Sequence, residues 1–187
     1  MVFFGDSITD LWKLDASFPG KGYINRGIGG QTSEQLLLRF RPDVVNLKPA
    51  VAMILGGTND IAGNTGPMTP EQTAGNFASM AELARVHGIR VVLGSLTPVH
   101  HASVMAMRHY VLRPLQRILA LNQWLRGYCA GQGLVYADYF SAMADERGQL
   151  RRELADDGLH PNAAGYAVMT PVAQAAIEKA LGEANGE

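Results

Sequence analysis

The sequence predicts an α/β protein in which a parallel sheet is covered by helices on both sides. Three observations predict it. Short, nearly continuous apolar runs alternate with longer stretches of helical pattern. Most of those runs end at glycine or a polar turn residue. The 187 residues are 47% hydrophobic and 18% charged, with 21 glycines and 9 prolines, which fits a folded domain rich in tight turns and excludes a disordered or fibrous chain. The length suits one domain spanning residues 1–187 with a substantial core.

The strands are expected at residues 1–4, 23–25, 51–55, 90–94 and 134–137, each short and rich in Val, Ile, Leu or aromatics. Helices are expected at 33–40, 70–87, 112–132 and 163–181. The second has Thr69 as its N-cap, Pro70 in the first helical position and Gly88 just past its end. The last is opened by Asn162 and carries Ala167, Val168, Val172, Ala175, Ala176 and Leu181 as one apolar face. The tail from Gly182 to Glu187 is expected to fray. Residues 61–69 and 97–110 are expected as long loops bordering a site.

Charge excludes several classes. Sixteen basic residues against seventeen acidic give a net charge of -1, with no basic stripe for phosphate neutralisation, so no nucleic-acid partner is expected. No Lys/Arg cluster flanks an amphipathic stretch and no apolar run reaches the ~18 residues of a membrane span, so no stable membrane insertion is expected. Cys129 is the only cysteine, which excludes an internal disulfide and a thiolate-built zinc site; it reads as a buried helix thiol. Residues 1–4 already read as a strand with no leader ahead of them, which leaves open a cytosolic protein and one whose leader was removed upstream.

In open parallel sheets the active groups gather outside the carboxyl ends of the strands. Four segments meet that condition. Gly5-Asp6-Ser7-Ile8-Thr9 follows the first strand and places a serine at a strand-to-helix turn, where its hydroxyl faces a reacting carbonyl and its N–H is unpaired. A helix-capping role for Ser7 is the plain alternative. Neither the phosphate-loop pattern nor the Gly-x-Ser-x-Gly elbow is present, since Thr9 stands where the elbow needs glycine. Asn25-Arg26-Gly27-Ile28-Gly29-Gly30-Gln31-Thr32 follows the second strand, and its glycines let the backbone aim N–H groups at a ligand. Thr32 replaces the third glycine of a dinucleotide fingerprint, so the fingerprint is incomplete.

Gly56-Gly57-Thr58-Asn59-Asp60 follows the third strand and offers the neutral amide of Asn59, or else a turn asparagine. Asp157-Gly158-Leu159-His160-Pro161-Asn162 precedes the last helix. Its carboxylate, three residues before the imidazole, can hold Nδ1–H and leave Nε2 free as a base, an arrangement that no other of the five histidines has.

Taken together and in this order, the four segments resemble the four blocks of the GDSL, or SGNH, esterase and lipase family. The resemblance runs from near the start to Ala163; the first block reads Gly-Asp-Ser-Ile in place of Gly-Asp-Ser-Leu. Both ends look most like the bacterial branch related to acetylhydrolases. The resemblance implies a flavodoxin-like three-layer α/β/α sandwich with a five-stranded parallel sheet. It also implies Ser7 as nucleophile, His160 as base and Asp157, rather than the adjacent Asp156, as its partner. The oxyanion would be met by the N–H groups of Ser7 and Gly30 and the side-chain amide of Asn59, with no metal or organic cofactor.

The activity so implied is hydrolysis of short-chain, chiefly acetyl, esters through an acyl-serine. The substrate is a small-molecule ester, and homo-oligomerisation stays open. An acyltransferase with the same residues and a non-catalytic ligand-binding member of the fold are the alternatives. Val99, Val104, Met105 and Met107 could wall the acyl or alcohol group, or pack on their own domain or a second copy. His100, His101 and His109 fit no metal spacing and no acidic ligand is expected nearby, so no metal is expected.

Overall fold

Sheet and helices follow from where the chain can bury two apolar faces at once. A computed structural model of the chain describes residues 1–182. Five strands, β1 (Val2–Gly5), β2 (Ile24–Gly27), β3 (Val51–Leu55), β4 (Arg90–Gly94) and β5 (Val135–Ala137), form one parallel sheet in the order β2-β1-β3-β4-β5. The order is that of a flavodoxin-like sheet, whose direction of winding reverses between β1 and β3. Successive residues of the central strands face opposite sides. Val2, Phe4, Ala52 and Ile54 join one buried cluster, and Phe3, Val51 and Met53 join the other.

The first cluster is covered by α3 (Ser33–Asp43), α5 (Pro70–Val86) and α7 (Leu115–Gln132), through Phe40, Phe77 and Leu125 among others. The second is covered by α1 (Ser7–Asp10), α2 (Leu14–Ser17), α8 (Tyr139–Met143) and α9 (Ala163–Leu181), through Ile8, Leu14, Met143 and Met169. Each large side chain sealed in these layers contributes roughly 1.5–3 kcal/mol, largely offset by chain entropy. The described residues therefore form the three-layer sandwich expected for the fold class.

Local chemistry sets the ends of the long helices. Thr69 Oγ1 accepts from the Gln72 N–H and Gln72 reciprocates, a capping box with Pro70 just inside. Asn162 Oδ1 accepts from the N–H groups of Ala164 and Gly165 and so opens α9. Gly182 closes α9 with φ 75°; the rest of the tail expected to fray, 183–187, lies outside the described residues.

Three expectations are corrected. The apolar stripe of α9 holds in part: Ala176 is buried and Val168, Val172 and Leu181 pack partly buried on the same cluster, but Ala167 and Ala175 face solvent and Gly165, Met169, Ala173 and Ile177 are buried in addition. Residues 104–112 are a helix, α6 (Val104–Leu112), capped by Ser103, and not part of a loop. The expected helix at 112–132 therefore splits: Pro114 lacks the N–H a continuous helix needs, and Arg113, with φ −128° and ψ 69°, leaves the helical region before it. A short helix α4 (Thr58–Ala62) also carries the third glycine-rich segment.

Close approach is required at Gly27. A Cβ there would lie 2.0 Å from the Asp10 nitrogen, so only glycine lets β2 run this close to α1.

Candidate active site

Ser7 begins α1 directly after β1. Asp6, not Ser7, caps that helix: its Oδ1 accepts from the Ile8 N–H at 3.0 Å. The capping alternative for Ser7 is thereby excluded, and its hydroxyl is left for another partner. Ser7 Oγ lies 2.9 Å from Nε2 of His160, which arrives from the loop before α9.

That loop folds around one carboxylate. Asp157 Oδ2 lies 2.6 Å from His160 Nδ1, and its Oδ1 accepts from the N–H groups of Leu159 and His160 at 2.9 and 2.8 Å. Burial alone would raise the Asp157 carboxyl. The hydrogen bonds from the imidazole and the two N–H groups outweigh it and bring the carboxyl down to about 2. Asp156 is engaged elsewhere, accepting from Asn162 Nδ2 at 3.1 Å. A Ser–His–Asp chain of hydrogen bonds thus joins the first and last of the four segments.

The middle two segments meet beside it. The segment after β2 passes against the serine: a Cβ on Gly29 would lie 3.8 Å from Ser7 Cβ. Gly30 has φ 78°, and its carbonyl is held by Asn64 Nδ2 at 3.0 Å. Among the described residues, the N–H groups of Ser7 and Gly30 donate to no protein group. Asn59, in α4, is buried and donates from Nδ2 to the Gln31 carbonyl at 2.9 Å, which ties the third segment to the second. Asp60 accepts from the Ser33 N–H and hydroxyl and from Thr73 Oγ1, and so fixes the start of α3 against α5.

Several groups at the site escape sequence reading. Arg39 donates from Nη2 to the Gly5 carbonyl at 2.8 Å and from Nη1 to the Arg26 carbonyl at 2.9 Å, with its guanidinium 4.3 Å from the centre of the Phe4 ring. It clamps the ends of β1 and β2 from below. Helix α6 and the residue that ends it add two more. His109 Nε2 lies 3.9 Å from Asp157 Oδ2, and its ring meets that of His160 edge-on at 5.9 Å. Arg113, 3% exposed, donates to Thr58 Oγ1 at 2.9 Å and to Asn59 Oδ1 at 3.1 Å. Spacing gave no signal for these residues, because their partners lie far off in sequence.

The histidine-rich segment behaves differently from expectation. His100 is buried and its Nε2 lies 3.0 Å from the Ala155 carbonyl, while His101 packs on Tyr110 at 4.8 Å. The expected absence of a neighbouring acidic group fails for His109, since Asp157 is brought to it by the fold. One ligand atom each from His109, Asp157 and His160 fall within 4.8 Å of one another. An ion there would compete with the Asp157–His160 hydrogen bond. Burial first, then the Arg113 charge, lowers the pKa of His109 against the pull of Asp157. Of the four residues offered as an apolar wall, Val99 is in the core, as in the packing alternative, while Val104, Met105 and Met107 are exposed.

Two further groups complete the electrostatics. Asp6 is sealed from solvent, and burial pushes its carboxyl up to about 7 despite the Ile8 N–H; its Oδ2 has no hydrogen-bond partner. Cys129 is buried in α7 and burial pushes its thiol up to about 11, which suits packing and not nucleophilic chemistry.

Comparison with known proteins places the chain among esterases and lipases. The family model for the GDSL-like lipase/acylhydrolase family matches residues 3–168. A GDSL-like lipase of Bacteroides thetaiotaomicron of known structure is 40% identical, with a TM-score of 0.87 over 96% of this chain and 87% of that one. Esterase TesA of Pseudomonas aeruginosa is 34% identical over 108 residues, 50% of this chain and 52% of its own. Axe2, an acetyl-xylooligosaccharide esterase of Geobacillus, shares the fold at 19% identity, with a TM-score of 0.76 over 94% of this chain and 92% of its own. The aligned part of this chain spans only 32% and 52% of the lengths of the curated relatives it matches.

Proposed function

The chain belongs to the GDSL-like lipase/acylhydrolase family, and we propose that it hydrolyses short-chain carboxylic esters, chiefly acetyl esters, through an acyl-serine formed on Ser7. The observation that carries this reading is the hydrogen-bonded chain from Ser7 through His160 to Asp157.

In this reading Ser7 Oγ attacks the ester carbonyl while His160 Nε2 takes its proton. The C–O bond to the alcohol then breaks, and His160 returns the proton to the leaving oxygen. Asp157 holds the imidazole in the tautomer with Nδ1–H and stabilises the imidazolium. The unpaired N–H groups of Ser7 and Gly30, with the Asn59 amide, meet the developing oxyanion. One such donor typically supplies about 10²–10³ in kcat. Water, activated by His160, then releases the acid and restores Ser7.

Hydrolysis is favoured over acyl transfer by the openness of the site. The His160 and Asp157 side chains are 28% and 25% exposed, so water reaches the base. A transferase needs water excluded from the acyl-enzyme. An acetyl ester as substrate is supported by the acetyl-ester activity of Axe2, which shares the fold. The test is a p-nitrophenyl ester series from acetyl to decanoyl. The highest kcat/KM is expected at acetyl or the next homologues, and a better rate on decanoyl than on acetyl contradicts the short-chain reading.

A further inference from the structure

Arg113 is a buried cation without an ion pair. Its side chain is enclosed by the ends of α4 and α6, it is 3% exposed, and no carboxylate lies within ion-pairing distance of it among the described residues. Asp6 and Asp157 act on it only through space. Burying a charge costs free energy that an ion pair normally offsets, and here only hydrogen bonds to neutral groups offset it.

The hydrogen bonds of Arg113 indicate what that is. A guanidinium can only donate, so the atom of Asn59 that faces Nη2 at 3.1 Å has to be the carbonyl oxygen Oδ1. The Gln31 carbonyl can only accept, so the atom that faces it at 2.9 Å has to be Nδ2. The two partners together leave the Asn59 carboxamide a single orientation. One N–H is spent on Gln31, and the second is left for a ligand. Nε of Arg113 bonds Thr58 Oγ1 at 2.9 Å, so the guanidinium plane is itself fixed by the residue preceding Asn59.

Resting on the reading of Asn59 as an oxyanion donor, we propose that Arg113 is a positioning residue. It locks the Asn59 amide with its free N–H toward the carbonyl oxygen of the Ser7-bound ester, and its unpaired charge is balanced when the oxyanion forms. Positive charge behind Oδ1 polarises the amide and makes that N–H a stronger donor. The charge is thus worth most in the transition state, where the negative charge appears.

The test is a double-mutant cycle of Arg113→Met and Asn59→Ala on p-nitrophenyl acetate, with Arg113→Lys and Ser7→Ala alongside. Arg113→Met is expected to lower kcat by about 10- to 100-fold with KM within about twofold, and to have little further effect in the Asn59→Ala background. Arg113→Lys keeps the charge without the two-armed fork and is expected to restore part of the loss. Equal losses with and without Asn59, or a raised KM at unchanged kcat, overturn the proposal. If circular dichroism shows that Arg113→Met does not fold, the same cycle is read with Arg113→Lys, and additivity overturns it equally. Ser7→Ala separates the two levels: full activity of that variant sinks the reading of the site, whereas an inert Ser7→Ala with an additive cycle sinks only the role of Arg113.

Discussion

The Tyr166 hydroxyl donates to the Ile8 carbonyl at 2.8 Å, joining the first turn of α9 to the residue after Ser7. The Tyr166 ring also stacks on Trp12 at 5.3 Å. The base and the nucleophile come from opposite ends of the chain, and this contact sets the distance between the elements that carry them. Tyr166→Phe should keep the stacking and lose the hydrogen bond, destabilising the fold by about 0.5–1.5 kcal/mol. Urea unfolding measures the loss, and kcat should fall with it. Unchanged stability and kcat would show that the hydroxyl does not hold the site together.

Asp157 is held ionised from its ordinary 3.8 down to about 2, so its charge persists across the working range. Asp157→Asn should therefore lower kcat on the order of 10⁴ at neutral pH while leaving Ser7 in place. The linkage sign follows from the depressed value. The stability this carboxylate contributes is present above about 4 and is lost as pH falls toward about 2. Unfolding curves of wild type and Asp157→Asn should differ by a constant amount above about pH 4 and converge below it. A gap that instead widens in acid contradicts the assignment.

Asp6 has the opposite sign. Its carboxyl is raised from 3.8 to about 7 by burial, so between those values the folded state holds a proton that the unfolded state has released. The stability of the wild type should fall through that interval as pH rises. Asp6→Asn keeps an acceptor for the Ile8 N–H and removes the titration. Its stability relative to wild type should rise from about pH 4 to about pH 7 and then level off. Parallel stability curves would show that Asp6 does not titrate there.

Much of this was legible in the sequence because apolar period and local capping agree with the tertiary structure. The strand expected at 51–55 has the observed limits, and the expected edge strand at 23–25 lies only a residue or two before β2. Thr69 and Asn162 announced their helices. What stayed hidden has physical causes. Helices α1, α2, α4 and α8 have four or five residues, too few to show a 3.6-residue period. Helix α6 buries only Ala106 fully and turns Val104, Met105 and Val111 outward, so its pattern carries no core-facing stripe. In the site, Ser7, Asp157 and His160 were visible as spacings at strand and helix ends. Arg113, Arg39 and His109 act on partners brought together only by the fold.

Helix α6 is also tied to the Asp157–His160 loop. The His100 N–H donates to the Gly158 carbonyl at 3.0 Å, and a Cβ on Gly158, whose φ is 84°, would lie 2.6 Å from Ala106 Cβ. The helix that supplies His109 and ends at Arg113 is thus seated on the turn between acid and base.

Whether Ser7 is the nucleophile of an ester hydrolase is decided by p-nitrophenyl acetate hydrolysis by wild type and Ser7→Ala, purified side by side. Wild type should turn over, and a folded Ser7→Ala should show no rate above the uncatalysed one. Equal activity of the two proteins would contradict Ser7 as the nucleophile.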